Sequence, residues 1–552
     1  MTRILPRRAS PRRASTRRAS PHRASPHRAS TVAAAVAALG LGLAGCGSSG
    51  GTTPVSKAPT SRVLNLSFLE DPGSGATDPD IYYAGQGIIL QDNIYQGLLQ
   101  YQGGTATPTI IPDLATSWTA SKDNTVFTLK LRHGVLFHDG TPFTSAAAAP
   151  SFARRLAVGQ GPSYMVADVA AVTTQGPYQV TITLKSPNVN FPAYLAAPYG
   201  PRMMSPTGLA ANAGSDHDQT YLRTHDLGTG PYELTEARIG SAYQLKAFPR
   251  YWGPQPYFTT ANLPVIDDSA SQQLQFDKGS LAAVMHDLPE SAVKSYLKNS
   301  SVSSYPLPTL NSDFLYVNPS AGFLTTAAHR MALLQAVNVK QIYTEVFTGR
   351  ATIAAQAYPA HMMPQGTATQ SIPDQTTALA SLVRSLPPGQ RTLTVGYDSS
   401  SPDNQLVANL LSAQLDPLGL NVQVQSYTTA QIYGWPPPAP SAKGAPDVLL
   451  DGGWPDAAPP YMWAHISFDP NGGLNYMHCS TPQISSLLTQ GVATGSMQTF
   501  SQIGQLSVQT GCWYNLVNQD DFMVAQPWLK GVTQAHVVTN PNSLSLAALS
   551  AG

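Results

Sequence analysis

The stretch that most constrains this 552-residue chain lies at residues 391–427. Residues 391–397 (Arg-Thr-Leu-Thr-Val-Gly-Tyr) alternate as a strand does. Residues 404–415 then carry helical periodicity, Pro417 and Gly419 stop it, and residues 421–427 alternate again. A strand, a helix and a second strand in that order form an α/β unit, so the C-terminal half is predicted to have its own sheet. Further strands are predicted at 62–68, 126–131 and 179–184, and further helices at 87–101 and 328–346. The 47 prolines and 44 glycines are scattered, apart from Pro436 to Pro440 and a stretch after residue 46, so turns are distributed along an alternating α/β chain.

The N-terminus has a different composition. Its first thirty residues hold nine arginines and no acid, and residues 7–31 are five tandem copies of Arg/His-Arg-Ala-Ser-Pro/Thr. An apolar run from Val32 to Leu43 follows and closes on Leu43-Ala44-Gly45-Cys46. A basic segment, a short apolar segment and small residues make up a secretory signal, predicted at 1–45 and removed after Gly45. Leu-Ala-Gly-Cys resembles the bacterial lipobox, which makes Cys46 the expected site of diacylation, and two acyl chains anchor a protein durably. Residues 46–60 then read as the anchor and a flexible Gly/Ser/Thr/Pro tether. The basic repeat is either an extended leader or sequence upstream of the true start.

Loss of the leader takes nine of 32 basic side chains and none of the 31 acidic ones, leaving a formal charge of about −8. That charge argues against nucleic acid as a partner and suits cationic or zwitterionic solutes. Roughly 490 residues beyond the tether suffice for two or three domain-sized units. With Cys46 assigned to lipid, Cys479 and Cys512 remain as a pair in an oxidising compartment, where a disulfide is expected and two buried free thiols are the alternative.

Pro112-Asp113-Leu114-Ala115-Thr116-Ser117-Trp118, continuing through Phe127 to Arg132 and His133-Gly134-Val135-Leu136-Phe137-His138-Asp139-Gly140-Thr141-Pro142-Phe143-Thr144, resembles the signature of the family 5 solute-binding proteins. These are the oligopeptide, dipeptide and nickel binders of bacterial ABC importers. Taken alone, Asp139-Gly140 supplies a hairpin turn and Thr144 a helix cap. Asn93 to Leu98, Gly228 to Tyr232, Arg250 to Gly253, Asn318, Arg330 to Leu333, Asp447-Val448 and Gly453-Trp454-Pro455-Asp456 fall in the family's order. The resemblance covers residues 61–545. It departs at Ser145 to Ala149, where the family has an acidic residue, and near Trp454, where the spacing to the following aspartate is one residue short.

The resemblance implies an α/β, two-lobed periplasmic-binding-protein-like fold whose lobes are joined by a hinge and close on the solute. The first lobe is expected at 61–312, with an extra subdomain at about 103–225, the second at 313–522, and a return to the first at 523–552. Together with the lipobox at Cys46, it implies an extracytoplasmic, lipid-anchored monomer that delivers peptide or another small solute to permease subunits with their ATPases. A free peptide offers an ammonium, a carboxylate and an extended backbone. Asp456 is the candidate carboxylate for the ammonium, Trp454 a rigid wall beside it, and Asp451 the rival. Against this stands a plainer assignment, with Trp454 in the core and Asp456 in a turn before prolines. Other solutes, such as a nickel chelate or a sugar, and a sensing role without import remain alternatives.

Catalytic motifs are missing beyond the tether: there is no Gly-x-Ser-x-Gly elbow, His-Glu-x-x-His or Walker loop, and no Gly-x-Gly-x-x-Gly follows a strand. Asp267-Asp268 and Asp520-Asp521 are adjacent pairs of the kind found in solvated turns. The histidines form no i, i+4 pair on one helix. No catalytic residue, metal ligand or cofactor is therefore expected on this chain.

Overall fold

The strand–helix–strand succession forms the parallel part of a seven-stranded sheet. Strand Thr392–Asp398 lies between Asn421–Tyr427 and Val448–Gly453, parallel to both. Helix Pro402–Leu415 connects the first two strands, with the Ser401 hydroxyl accepting from the Asn404 amide at its start. It buries Val407, Ala408, Leu411 and Leu415 in one core with Leu393, Val395 and Leu450. In this computed structural model the described residues are 57–552 without 287, 371, 373, 429–430, 433–434 and 436–443. The leader, Cys46, most of the tether and Pro436 to Pro440 lie outside them.

The other strands of this sheet are antiparallel. Ser303–Val317 pairs with Val448–Gly453 on one side and with Trp513–Ala525 on the other. These two long strands run together from Ser303 opposite Ala525 to Tyr316 opposite Trp513. Their register shifts between Pro308 and Asn311, where two prolines, Pro306 and Pro308, withhold ladder donors. The residues expected to bound the second lobe, Ser312 and Phe522, both fall inside this strand pair.

Before the pair, Val63–Asn65, Thr260–Pro264, Ala242–Ala247 and Tyr232–Arg238 make one four-stranded sheet. A second, from Ala115–Ala120, Val126–Leu131, Gln179–Leu184 and Val169–Thr174, lies within the expected subdomain. The signature segment closes the turn read from it: Gly140 takes φ 87° and the Thr144 hydroxyl accepts from the Ala146 amide. His138 joins the signature to a later motif, contacting the Asp226 carboxylate through Nδ1 and the Gly230 carbonyl through Nε2. Gly228 presses on the Asn93 to Leu98 motif so closely that a Cβ there would stand 2.0 Å from the Ile94 carbonyl oxygen.

After the pair, the chain returns to the N-terminal part. Asn93 donates to the Leu544 carbonyl and accepts from the Leu546 amide, and Gly104 donates to the His536 carbonyl. A disulfide joins Cys479 to Cys512, tying the loop after helix Pro460–Phe468 to the start of the Trp513–Ala525 strand.

Three expectations change. The helix expected at 87–101 spans only Ile88–Ile94, because the chain turns extended at Tyr95 and Leu99–Tyr101 pairs with Ile110–Pro112. The helix expected at 328–346 is Ala327–Gln335 followed by a new start, where the Asn338 side chain accepts from the Gln341 amide and caps Val339–Ile342. The strand expected at 62–68 is Val63–Asn65, with an isolated bridge from Phe68 to Val265.

Candidate functional site

The site begins with two adjacent arginines on helix Ala148–Val158. Consecutive helical side chains diverge by roughly 100°, so Arg154 and Arg155 grip the preceding segment from two directions. Arg154 takes both oxygens of Asp78 at 2.8 and 2.6 Å and one of Asp80 at 2.6 Å. Arg155 takes the other Asp80 oxygen at 2.8 Å and the carbonyls of Pro79 and Gly200 at 2.9 Å each. All four charged groups are buried. Bidentate, charge-assisted bonds in such surroundings fix the course of residues 78–80 and hence of Tyr83.

The same helix ends at Gly159 in the left-handed conformation and runs on into the turn Gly161–Val166, which carries Tyr164. The two tyrosine-bearing segments touch at Gly161, where a Cβ would stand 2.7 Å from the Tyr83 Cβ and 3.3 Å from the Ile81 carbonyl oxygen. Tyr199 steadies the arrangement, its ring edge-on to Tyr83 at 5.0 Å and its hydroxyl donating to the Ala84 carbonyl at 2.8 Å.

Both tyrosines point at one atom. The hydroxyls of Tyr83 and Tyr164 each donate to Oδ2 of Asp456. The Tyr164 oxygen also lies 3.4 Å from the Met462 sulfur. Asp456 follows the C-terminal end of strand Val448–Gly453 and is 4% exposed. Burial pushes its carboxyl up to about 6, with the two hydrogen bonds pulling the other way. No basic side chain among the described residues pairs with it. Burial likewise pushes both tyrosines up, so they remain protonated donors.

Trp454 is half-buried and faces the same loop: its Cη2 lies 3.3 Å from the point where a Gly85 Cβ would stand, with the Asn542 amide 3.6 Å from that point. Ala458 completes the seam, its amide donating to the Tyr101 hydroxyl at 3.1 Å. Trp454 and Asp456 thus both meet the N-terminal segment at residues 83–85. Asp451 has a different setting. It sits opposite Phe314 in the seven-stranded sheet, accepts from the Gly452 amide at 2.8 Å and interacts with Tyr476. Burial, with the nearby Asp398, pushes it up to about 7. Tyr83 and Tyr164 were not predictable from the sequence, since a lone tyrosine in a loop carries no periodic signal. The visible clue was charge: Asp78-x-Asp80 and Arg154-Arg155.

Among the described residues no three His, Cys, Asp or Glu side chains gather as a metal site, and no helix is long and apolar enough to cross a membrane. What the fold and this seam define is a binding protein whose carboxylate is enclosed between distant parts of one chain. The model for bacterial extracellular solute-binding proteins, family 5, matches residues 109–475, and the chain belongs to that family.

The Escherichia coli K12 protein named "Probable D,D-dipeptide-binding periplasmic protein DdpA" is 28% identical over 408 residues, 72% of this chain and 77% of its own. The nickel-binding periplasmic protein of the same strain is 27% identical over 288 residues, 51% and 53% of the two chains. DppA from Helicobacter pylori, solved with the peptide STSA, superposes at a TM-score of 0.74 with 18% identity, covering 89% of this chain and 98% of its own. NikA from Brucella suis, solved with Fe(III)-EDTA, gives 0.76 with 20% identity, covering 89% and 100%. The fold is therefore the two-lobed periplasmic-binding-protein architecture.

Proposed function

We propose that this chain is the peptide-binding subunit of an ABC importer, held outside the membrane by a diacylated Cys46 and passing its ligand to permease subunits driven by separate ATPases. The observation that carries the ligand assignment is Asp456, a buried carboxylate with no basic partner among the described residues. Such a group is costly to keep ionised unless a cation comes to it. The α-ammonium of a peptide is a cation of the right kind, and Trp454 beside it is a flat apolar wall. Asp451, turned into the sheet, is the weaker candidate.

In this reading the lobes span 61–312 and 313–522, residues 523–552 return to the first, and the paired strands Ser303–Val317 and Trp513–Ala525 act as the hinge. The protein works as a monomer, and a ligand touching both lobes favours the closed state. The peptide assignment draws support from the names of the D,D-dipeptide relative and of the glutathione-binding proteins, 26% identical over 368 residues in one Escherichia coli strain.

Native mass spectrometry of protein purified from its own host is expected to reveal co-purified peptide. Calorimetry with that peptide is then expected to show at least about a tenfold weaker affinity for Asp456→Asn. An affinity equal to wild type would remove Asp456 from the site. Replacing Cys46 by Ser is expected to release the protein from the membrane fraction, and retention would count against the anchor.

A further inference from the structure

The two hydroxyls that reach Asp456 converge on the same oxygen, Oδ2, although a carboxylate has two. Among the described residues none bonds to Oδ1. A pair of donors on one oxygen does two things. It fixes the plane of the carboxyl, and it leaves the second oxygen's lone pairs for another partner.

We propose that Tyr83 and Tyr164 are positioning residues of the ligand site: together they hold Oδ2 of Asp456 and so present Oδ1 to the cation of the bound solute. The proposal rests on Asp456 being the ligand carboxylate, as argued above, and adds how that carboxylate is made ready. The pair is built for a fixed position. Tyr83 hangs from the Asp78–Asp80 segment that Arg154 and Arg155 clamp, Tyr164 follows the same helix, and Gly161 lets the two segments meet. Tyr83 also leaves 45% of its surface exposed while its hydroxyl points inward, so it stands at the rim of the seam.

The donors lie before the long strand pair in the chain and the acceptor lies between its two strands. The carboxylate is therefore oriented only when those parts are together. The groups facing Asp456 are the Tyr83 and Tyr164 hydroxyls and the Met462 sulfur beside Tyr164, with Tyr194 acting through space and no cation among the described residues. Both hydrogen bonds favour the ionised carboxyl against the cost of burial.

The test needs no knowledge of the ligand. The full chain is labelled with carboxyl-13C aspartate, the Asp456 signal is identified by its loss in Asp456→Asn, and it is titrated without added peptide. The wild-type midpoint is expected near 6. Tyr83→Phe and Tyr164→Phe remove one donor each with little change of shape, and each is expected to raise the midpoint by about one pH unit, the double variant by more. A midpoint unmoved in both single variants overturns the proposal. Affinity for tri-L-alanine is measured on the same proteins. If the midpoint moves while Asp456→Asn binds tri-L-alanine as wild type does, the failure falls on the peptide assignment, and the hold of the two tyrosines on Asp456 stands.

Discussion

Gly161 and Tyr83 are in backbone-level contact: a Cβ on residue 161 would stand 2.7 Å from the Cβ of Tyr83, and Gly161 itself adopts φ 35°. Any larger residue at 161 must push Tyr83 outward and strain its own backbone. Gly161→Ala is expected to lower stability by about 1–2 kcal/mol and to weaken peptide binding as the Tyr83 hydroxyl leaves Asp456. Thermal unfolding and calorimetry on one preparation check both effects; normal binding with lowered stability would contradict the link to Tyr83.

The arginine clamp predicts a larger loss. Arg154 and Asp78 are both buried and bonded at 2.6 and 2.8 Å. Removing one partner leaves an uncompensated buried charge, so Arg154→Met is expected to cost about 3–5 kcal/mol in denaturant unfolding. Arg154→Met combined with Asp78→Leu is expected to recover part of that loss, because the stranded charge is gone.

Ionisation predicts opposite pH trends for stability and binding. Burial raises Asp113 and Asp451 to about 7 and Asp456 to about 6, from 3.8. A carboxyl whose folded value is raised contributes stability that is full below about pH 4 and lost as pH rises through 6 to 7. Ligand-free wild type should therefore lose thermal stability relative to Asp451→Asn between pH 5 and pH 8, with a slope difference of up to about 1.4 kcal/mol per pH unit. With Asp456 as the proposed partner of the ammonium, peptide binding is expected to weaken below about pH 6. Parallel stability profiles for wild type and Asp451→Asn would contradict the assignment of that slope to Asp451.

The sequence was most legible where one periodicity served one buried face. Strands Val126–Leu131 and Gln179–Leu184 appear at the predicted residues because alternate side chains are buried. The end of helix Pro402–Leu415 was legible because Pro417 and Gly419 punctuate it, whereas its start, capped by Ser401, lies two residues before the expected Asn404. The reading failed where a local polar contact overrode periodicity, as at Asn338, which caps a new turn inside what reads as one helix. Candidate residues Trp454 and Asp456 came from a resemblance. The tyrosine partners of Asp456 lie 373 and 292 residues from it in the chain, a separation that no local pattern spans.

The Cys479–Cys512 bridge closes a loop with a sequence separation of 33. By loop entropy it contributes roughly 3–4 kcal/mol. Reductant, or the double variant Cys479→Ser with Cys512→Ser, is expected to lower the unfolding midpoint, with the loop that supplies Tyr476 to Asp451 exchanging its amides faster. Unchanged exchange in residues 469–480 would detach the bridge from that loop.

The central claim is that Asp456 receives the ammonium of the solute, and a double-mutant cycle tests it most directly. Wild type and Asp456→Asn are each titrated with one peptide in its free and N-acetylated forms. Acetylation is expected to cost the wild type about a hundredfold or more in affinity and Asp456→Asn little, since the two changes remove the same contact. Equal losses in the two proteins would show that the ammonium is bound elsewhere.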